Sequence, residues 1–166
     1  MVALKMEDLK GFTSGLFVGE AFDSWLLREA TVVTFNTFTI DGHIRPGYYT
    51  SQELEEGPIG EFSAWRVIRP FCFSLIKGKR LPGSFHITLQ LPPVGVEQFL
   101  RQSQVNLRAE QIGGLYLNIR YEEGIITCVS GMSLKVFTLD KQVEHEWDAW
   151  VKAYLKRKGI PFTEEN

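Results

Sequence analysis

The sequence is poor in cysteine and histidine and has no apolar segment long enough to span a membrane. Its two cysteines, Cys72 and Cys128, lie inside apolar runs without a partner at CxxC spacing, which predicts buried reduced thiols. A bilayer span needs about 18 or more consecutive apolar residues, and none is present. The first ten residues also lack the apolar core of a signal peptide. We therefore expect a cytoplasmic protein that does not bind membranes.

A strong excess of one charge is also missing. Lys and Arg number 18 against 20 Asp and Glu, so the formal net charge is −2. This balance predicts no general attraction to polyanions, and nucleic-acid binding would require a local basic patch. Hydrophobic residues make up 44% of the chain, which is enough for a packed core. The length fits a single globular domain over residues 1–166.

The motifs of common enzyme classes are incomplete. His145-Glu146 begins like the zinc-protease motif HExxH, but Ala149 stands where the second histidine is needed. Gly78-Lys79 is followed by Arg80 instead of Ser or Thr, and the first glycine of a phosphate loop is missing. No GxGxxG follows a predicted strand. We predict no metal, cofactor or catalytic residue, although an enzyme with an unmarked site remains an alternative.

Hydrophobic periodicity predicts an α+β domain with a mainly antiparallel sheet, two short helices and a long C-terminal helix. Strand patterns cover residues 2–6, 26–40, 63–77, 84–91, 115–121, 125–130 and 132–136, with Pro70 interrupting the third. Helical patterns cover residues 9–17, 95–103 and 140–158, and residues 50–53 read as the capping box of one helical turn.

The segment TFNTFTIDGHI, residues 34–44, combines a predicted turn with two polar side chains of catalytic type. Asp41-Gly42 is suited to a type I′ hairpin turn. The apolar face of the segment switches between odd and even positions near Asn36 and Thr37, which predicts a β-bulge that re-aims side chains. We interpret Asp41 and His43 as turn residues, with an acid–base pair as the alternative.

Two groups of basic residues are candidate contacts for anions or nucleic acid. Three of them surround a predicted hairpin tip and two alternate with aromatic side chains, an arrangement that can stack single-stranded bases. The alternatives are a solvated turn and an aromatic core with arginines at its rim. The candidate residues are Lys77, Lys79, Arg80, Arg66 and Arg69.

The predicted order strand, helix, strand, strand occurs twice, which is typical of an internal repeat. This tandem β-α-β-β order is similar to one domain of the DNA sliding clamps. Clamp function requires basic inner helices that attract phosphates. The first predicted helix offers Glu7, Asp8 and Lys10 and the second Glu97 and Arg101, without a positive excess. The resemblance therefore implies a clamp-like architecture and not clamp function.

A second resemblance lies in the sequence itself. TFNTFTIDG, residues 34–42, and RPFCFSLIKGK, residues 69–79, resemble segments of a small bacterial family known only as a domain of unknown function. The resemblance implies a soluble bacterial protein. It supplies no activity, cofactor or catalytic residue.

Three hypotheses for the function follow. The first is a non-catalytic binding or assembly protein with a protein partner or a second copy of itself, because no catalytic constellation is visible. The second is association with nucleic acid through the basic turn. The third is a small-molecule enzyme with an unmarked site that uses Asp41 and His43.

Overall fold

The structure is a computed structural model that describes residues 1–57 and 59–165. The strands are β1 (Ala3–Met6), β2 (Leu26–Val33), β3 (Thr37–Asp41), β4 (Ser84–Gln90), β5 (Ile112–Glu122), β6 (Ile125–Leu134) and β7 (Phe162–Glu164). The helices are α1 (Leu9–Phe17), α2 (Ser51–Glu56), α3 (Trp65–Ile76), α4 (Pro93–Gln102) and α5 (Gln142–Arg157), with 3₁₀ turns at Pro46–Tyr48 and Ala109–Gln111. The predicted α+β class with an antiparallel sheet is confirmed.

The seven strands form one sheet in the order β3-β2-β4-β5-β6-β1-β7, and every neighbouring pair is antiparallel. Register aligns apolar side chains across one face in the row Ala30, Ile87, Ile119, Cys128 and Leu4. The neighbouring row on the other face is Thr31, His86, Arg120 and Thr127. One face therefore belongs to the core, and the other has the polar composition of a solvated face.

Helices α1, α3 and α5 cover the apolar face. Asp8 caps α1 by accepting a hydrogen bond from the backbone N–H of Gly11, and Phe17 at its end packs against Trp65 of α3. Trp147 of α5 is buried, and its indole N–H donates to the carbonyl of Tyr116 at 3.1 Å. No described helix is long and apolar enough to cross a bilayer.

The predicted end of the C-terminal helix is confirmed, whereas its predicted start at Asp140 lies one residue before the N-cap Lys141, whose side chain makes no capping hydrogen bond. Asp140 accepts a hydrogen bond from the backbone N–H of Gln142 at 2.9 Å, and Gly159 leaves the helix with a φ of 70°. Strand β7 follows and pairs with β1. Hydrophobic periodicity does not predict β7, because this strand is only three residues long.

The strand predicted over residues 63–77 is wrong, because this segment forms α3. Its buried and half-buried residues Trp65, Ile68, Cys72 and Leu75 recur at helical spacing and contact the core. Pro70 deprives the helix of one N–H donor, but its ring lies on the exposed side, where it does not disturb packing. This segment is therefore helical because burial of its apolar stripe outweighs the helix-breaking effect of Pro70.

The predicted type I′ hairpin turn at Asp41-Gly42 and the predicted bulge at Asn36-Thr37 are also wrong. The β2–β3 hairpin turns at residues 34–36, where the N–H of Thr34 donates to the carbonyl of Asn36 at 2.9 Å. Thr37 begins β3 opposite Val33. The switch in apolar periodicity therefore marks a hairpin turn, while Asp41 ends the second strand.

Strand β2 has a bulge at Arg28, between Leu27 and Glu29, in its pairing with β4. Gly42 packs against this bulge, and the N–H of Gly42 donates to the carbonyl of Arg28 at 2.9 Å. A Cβ on Gly42 would lie 1.8 Å from the carbonyl oxygen of Leu27. Glycine is therefore needed here for close backbone approach, since its φ is not positive.

The two halves share the order of elements and differ in how their strands pair. The order β-α-β-β recurs as β1-α1-β2-β3 and β4-α4-β5-β6. Strand β4 pairs with β5 of its own half, whereas β1 pairs with β6 and β7. The two strands predicted over residues 125–136 form the single strand β6. The repetition thus covers the order along the chain and the hairpins β2–β3 and β5–β6, and it does not extend to the pairing of the first strands.

Replacing Gly42 with Ala should destabilise the protein by about 2 kcal/mol or more, because two backbone segments must separate to admit the methyl group. The measurement is urea unfolding of wild type and variant. The matched control is Gly47→Ala, since a Cβ on Gly47 meets no atom within 4 Å. Equal unfolding midpoints for the two variants would contradict the close approach at Gly42.

Candidate ligand-binding groove

An open apolar groove lies between α1, the C-terminal end of α3 and the connection from α3 to β4. Its volume of about 570 Å³ falls within the range of small-ligand sites, about 300–1,000 Å³. The lining residues are Leu9, Lys10, Thr13, Ser14, Phe17, Val18, Phe73, Ile76, Lys77, Gly78, Leu81, Pro82, Phe85 and Tyr121.

Three aromatic rings form the floor. Phe85 is the first core-facing residue of β4, and the register places it opposite Tyr121 of β5. Their rings stack with centroids 5.2 Å apart, and Phe17 meets Phe85 edge to face, also at 5.2 Å. These rings belong to the buried core, so the floor is held rigidly in place before any ligand binds.

The walls expose apolar side chains to water. Val18, just after α1, is 55% exposed, and Leu81 in the connection is 80% exposed. Phe73 and Ile76 of α3 form the opposite side. A concave apolar patch of this kind on a protein surface is typical of a ligand or partner site.

Two lysines supply the charge of the groove. Lys10 lies in the first turn of α1, and Lys77 caps the end of α3. Both are exposed, and neither forms a salt bridge with any described residue. Lys79 and Arg80 follow on the same connection and are exposed too. The connection joins a helix to a strand, so the predicted hairpin tip is wrong, but its three cations do lie together on one loop.

The other predicted basic pair lies in α3. Arg69 donates two hydrogen bonds to Asp23, at 2.9 and 3.2 Å, and this interaction raises the pKa of its guanidinium. Arg66 is exposed. Trp65 is buried and donates to the carbonyl of Leu16 at 2.9 Å, so its ring is not available to stack a base.

Asp41 and His43 do contact each other. Asp41 Oδ1 accepts from the backbone N–H of His43 at 2.9 Å and lies 2.6 Å from the imidazole Nδ1. Arg45 donates to the second carboxylate oxygen at 3.3 Å, and the imidazole packs on the Phe62 ring at 4.4 Å. The backbone bond is an Asx turn. No hydroxyl or thiol side chain bonds this pair among the described residues, and Asn36 and Thr37 lie at the opposite end of β3.

The cysteines have the chemistry of core residues. Burial raises the pKa of the Cys72 thiol to about 11 and also raises that of Cys128, which is completely buried. A thiol with a raised pKa is a poor nucleophile at neutral pH. Within residues 1–57 and 59–165, no three His, Cys, Asp or Glu side chains lie close enough together to hold a metal ion.

Sequence reasoning identifies Lys77 and misses the rest of the groove. The wall contributed by α1 carries the hydroxyl residues Thr13 and Ser14 beside the apolar stripe of that helix, which is a weak signal. The wall contributed by α3 is invisible as long as residues 63–77 are interpreted as a strand. Its helical spacing of apolar residues is the signal that could have revealed it.

The carboxyl group of Asp41 should titrate below its ordinary value of 3.8, because the backbone N–H and imidazole of His43 stabilise the carboxylate. Its contribution to stability is therefore present above the ordinary value and is lost as pH falls through the lowered pKa. The pKa of Asp41 can be measured from the NMR chemical shift of its carboxyl carbon as a function of pH. In His43→Ala the pKa should rise part of the way back, since the backbone bond remains. An unshifted Asp41 in wild type would contradict the pairing.

Comparison with known proteins identifies the family of the chain. No curated protein and no solved structure matches it. A model described as a family of unknown function, DUF5721, matches residues 15–163. The matched range includes the three floor residues and Lys77, whereas Lys10 precedes it. The resemblance to a family known only as a domain of unknown function is confirmed at that level, and the chain belongs to the DUF5721 family.

Proposed function

We propose that this protein is a non-catalytic binding module and that the groove between α1 and α3 is its binding site. The observation that carries the proposal is the rigid aromatic floor of Phe17, Phe85 and Tyr121, which lines a solvent-open groove whose walls are apolar. A preformed apolar concavity with few polar groups is the usual form of a small-molecule site.

The hydrophobic effect sets the affinity that such a groove can provide, mainly through its exposed walls. Apolar surface gains about 25 cal/mol for each Å² removed from water, so a ligand that buries about 200 Å² gains roughly 5 kcal/mol. The loss of translational and rotational freedom on binding consumes several kcal/mol of that gain. A purely apolar ligand is therefore held weakly, and tight binding needs additional polar contacts at the rim.

An enzymatic function is less well supported by the same structure. Asp41 and His43 form a pair on the surface, outside the groove, and the two thiols are buried with raised pKa values. The two reduced, buried cysteines are consistent with a cytoplasmic setting, and the sequence resemblance favours a bacterial one.

Nucleic-acid association is the second candidate, because Lys77, Lys79 and Arg80 are exposed on one connection and the β-α-β-β order of the clamps occurs twice. Two of the alternating basic and aromatic side chains are not available to a base, since Trp65 is buried and Arg69 is paired with Asp23, whereas Phe71 of the same helix is exposed. Binding of this kind weakens steeply with salt. A fluorescent oligonucleotide whose binding responds to salt and is lost in the triple neutral variant would establish it.

Filling the groove should abolish binding of a neutral apolar dye such as Nile red. Ser14 lies exposed on α1 and lines the groove, so Ser14→Trp places an indole in the ligand volume with little change in helix propensity. We expect dye affinity to fall at least tenfold, as measured by fluorescence titration.

The matched control for this experiment is Gln98→Trp, which adds the same side chain to an exposed position of α4 outside the groove. It should bind the dye like wild type, and circular dichroism should show all three proteins folded. Equal dye affinity in all three, or no binding by wild type, would overturn the proposed site.

A further inference from the structure

Resting on the proposed binding function, we infer that the ligand is a single-chain amphiphile with a carboxylate head group. Its alkyl chain lies over the aromatic floor, and its carboxylate lies between the ammonium groups of Lys10 and Lys77 at the rim. The supporting observation is that both lysines line the same groove as the apolar side chains.

A lysine side chain can contact both the alkyl chain and the carboxylate of such a ligand. The four-carbon stem of a lysine can lie along apolar surface while its ammonium group stays in water. Lys10 and Lys77 are exposed and have no carboxylate partner among the described residues, so both remain available to an anion. A ligand carboxylate would be met by charge-assisted hydrogen bonds without displacing an internal salt bridge.

The local charge selects an anion over a cation. The protein carries a formal net charge of −2, yet the groove lining includes two lysines and no acidic residue of the described chain. Lys79 and Arg80 extend this positive potential along the connection. An isolated cationic rim on a protein with an overall acidic balance steers anionic ligands toward this one place.

The polar groups of the groove are too few for a nucleotide or a sugar. Thr13 already donates its hydroxyl hydrogen to the carbonyl of Leu9 at 2.7 Å, which leaves Ser14 and Tyr121 as the lining residues whose hydroxyls make no hydrogen bond to a described residue. A base or sugar placed against the aromatic floor would lose its hydrogen bonds to water without replacement. An alkyl chain carries no such groups, so its burial incurs no comparable loss.

Chain length and head group should therefore act separately on affinity. Each methylene added within the groove should tighten binding about fourfold until the groove is filled. Two exposed ion pairs should give the carboxylate an advantage of about threefold to tenfold over the alcohol of equal length at low salt, and the advantage should shrink at high salt.

The experiment measures displacement of Nile red by octanoate, decanoate, decanol and decyltrimethylammonium below their micelle concentrations. Wild type should prefer decanoate to decanol, and both to the cation. In Lys10→Met/Lys77→Met the affinity ratio of decanoate to decanol should fall to about one. The control is Lys135→Met, an exposed lysine outside the groove, which should keep the wild-type ratio.

The outcomes separate the two proposals. If wild type binds neither decanoate nor decanol, the groove is not a binding site for such chains, and the proposed function fails together with the inference. If both bind equally, or if the double variant keeps the preference, only the carboxylate inference fails. Tighter displacement by an acidic amphipathic peptide than by decanoate would also overturn the amphiphile and leave the groove as the site.

Discussion

The central constraint on this fold is that one apolar face of a seven-stranded antiparallel sheet must be covered by helices. Register aligns fully buried residues across five strands of that face, and α1, α3 and α5 exclude water from it. The cover is incomplete where β4 begins and β5 ends. There the rings of Phe85 and Tyr121 reach the edge of the core, and α1 and α3 leave a gap over them. The groove is thus a consequence of how the helices cover the sheet.

Because the floor of the groove is also part of the core, binding and stability involve the same residues. Phe17 packs on Trp65 and Phe85, and Phe85 stacks on Tyr121, so these rings cannot move independently. A ligand would meet a surface that needs no ordering of its aromatic floor, which keeps the entropic cost of binding low. The adaptable part is the rim, where the exposed side chains of Lys10, Lys77 and Leu81 lie.

Sequence reasoning succeeded where one local pattern and the tertiary contacts agree. The alternation in β4, the capping box of Thr50 and Glu53, and the apolar stripe and C-terminal end of α5 are present as predicted. It failed where a residue typical of one local structure occurs in a different one. Pro70 indicated an interrupted strand but lies on the exposed side of a helix, and Gly42 indicated a turn but permits close backbone contact. The groove could not be predicted because it requires α3 to lie beside α1, and only Lys77 was identified in advance.

The central claim is that the incompletely covered end of the sheet holds a carboxylate with an alkyl chain. The most direct measurement is a set of intermolecular NMR nuclear Overhauser effects between bound decanoate and the aromatic protons of the protein. Cross-peaks from the chain methylenes to Phe17, Phe85 and Tyr121, with shifts of the Lys10 and Lys77 side chains, are the expected result. Cross-peaks confined to exposed rings outside the groove, such as Phe35, Phe71 or Phe137, would contradict it.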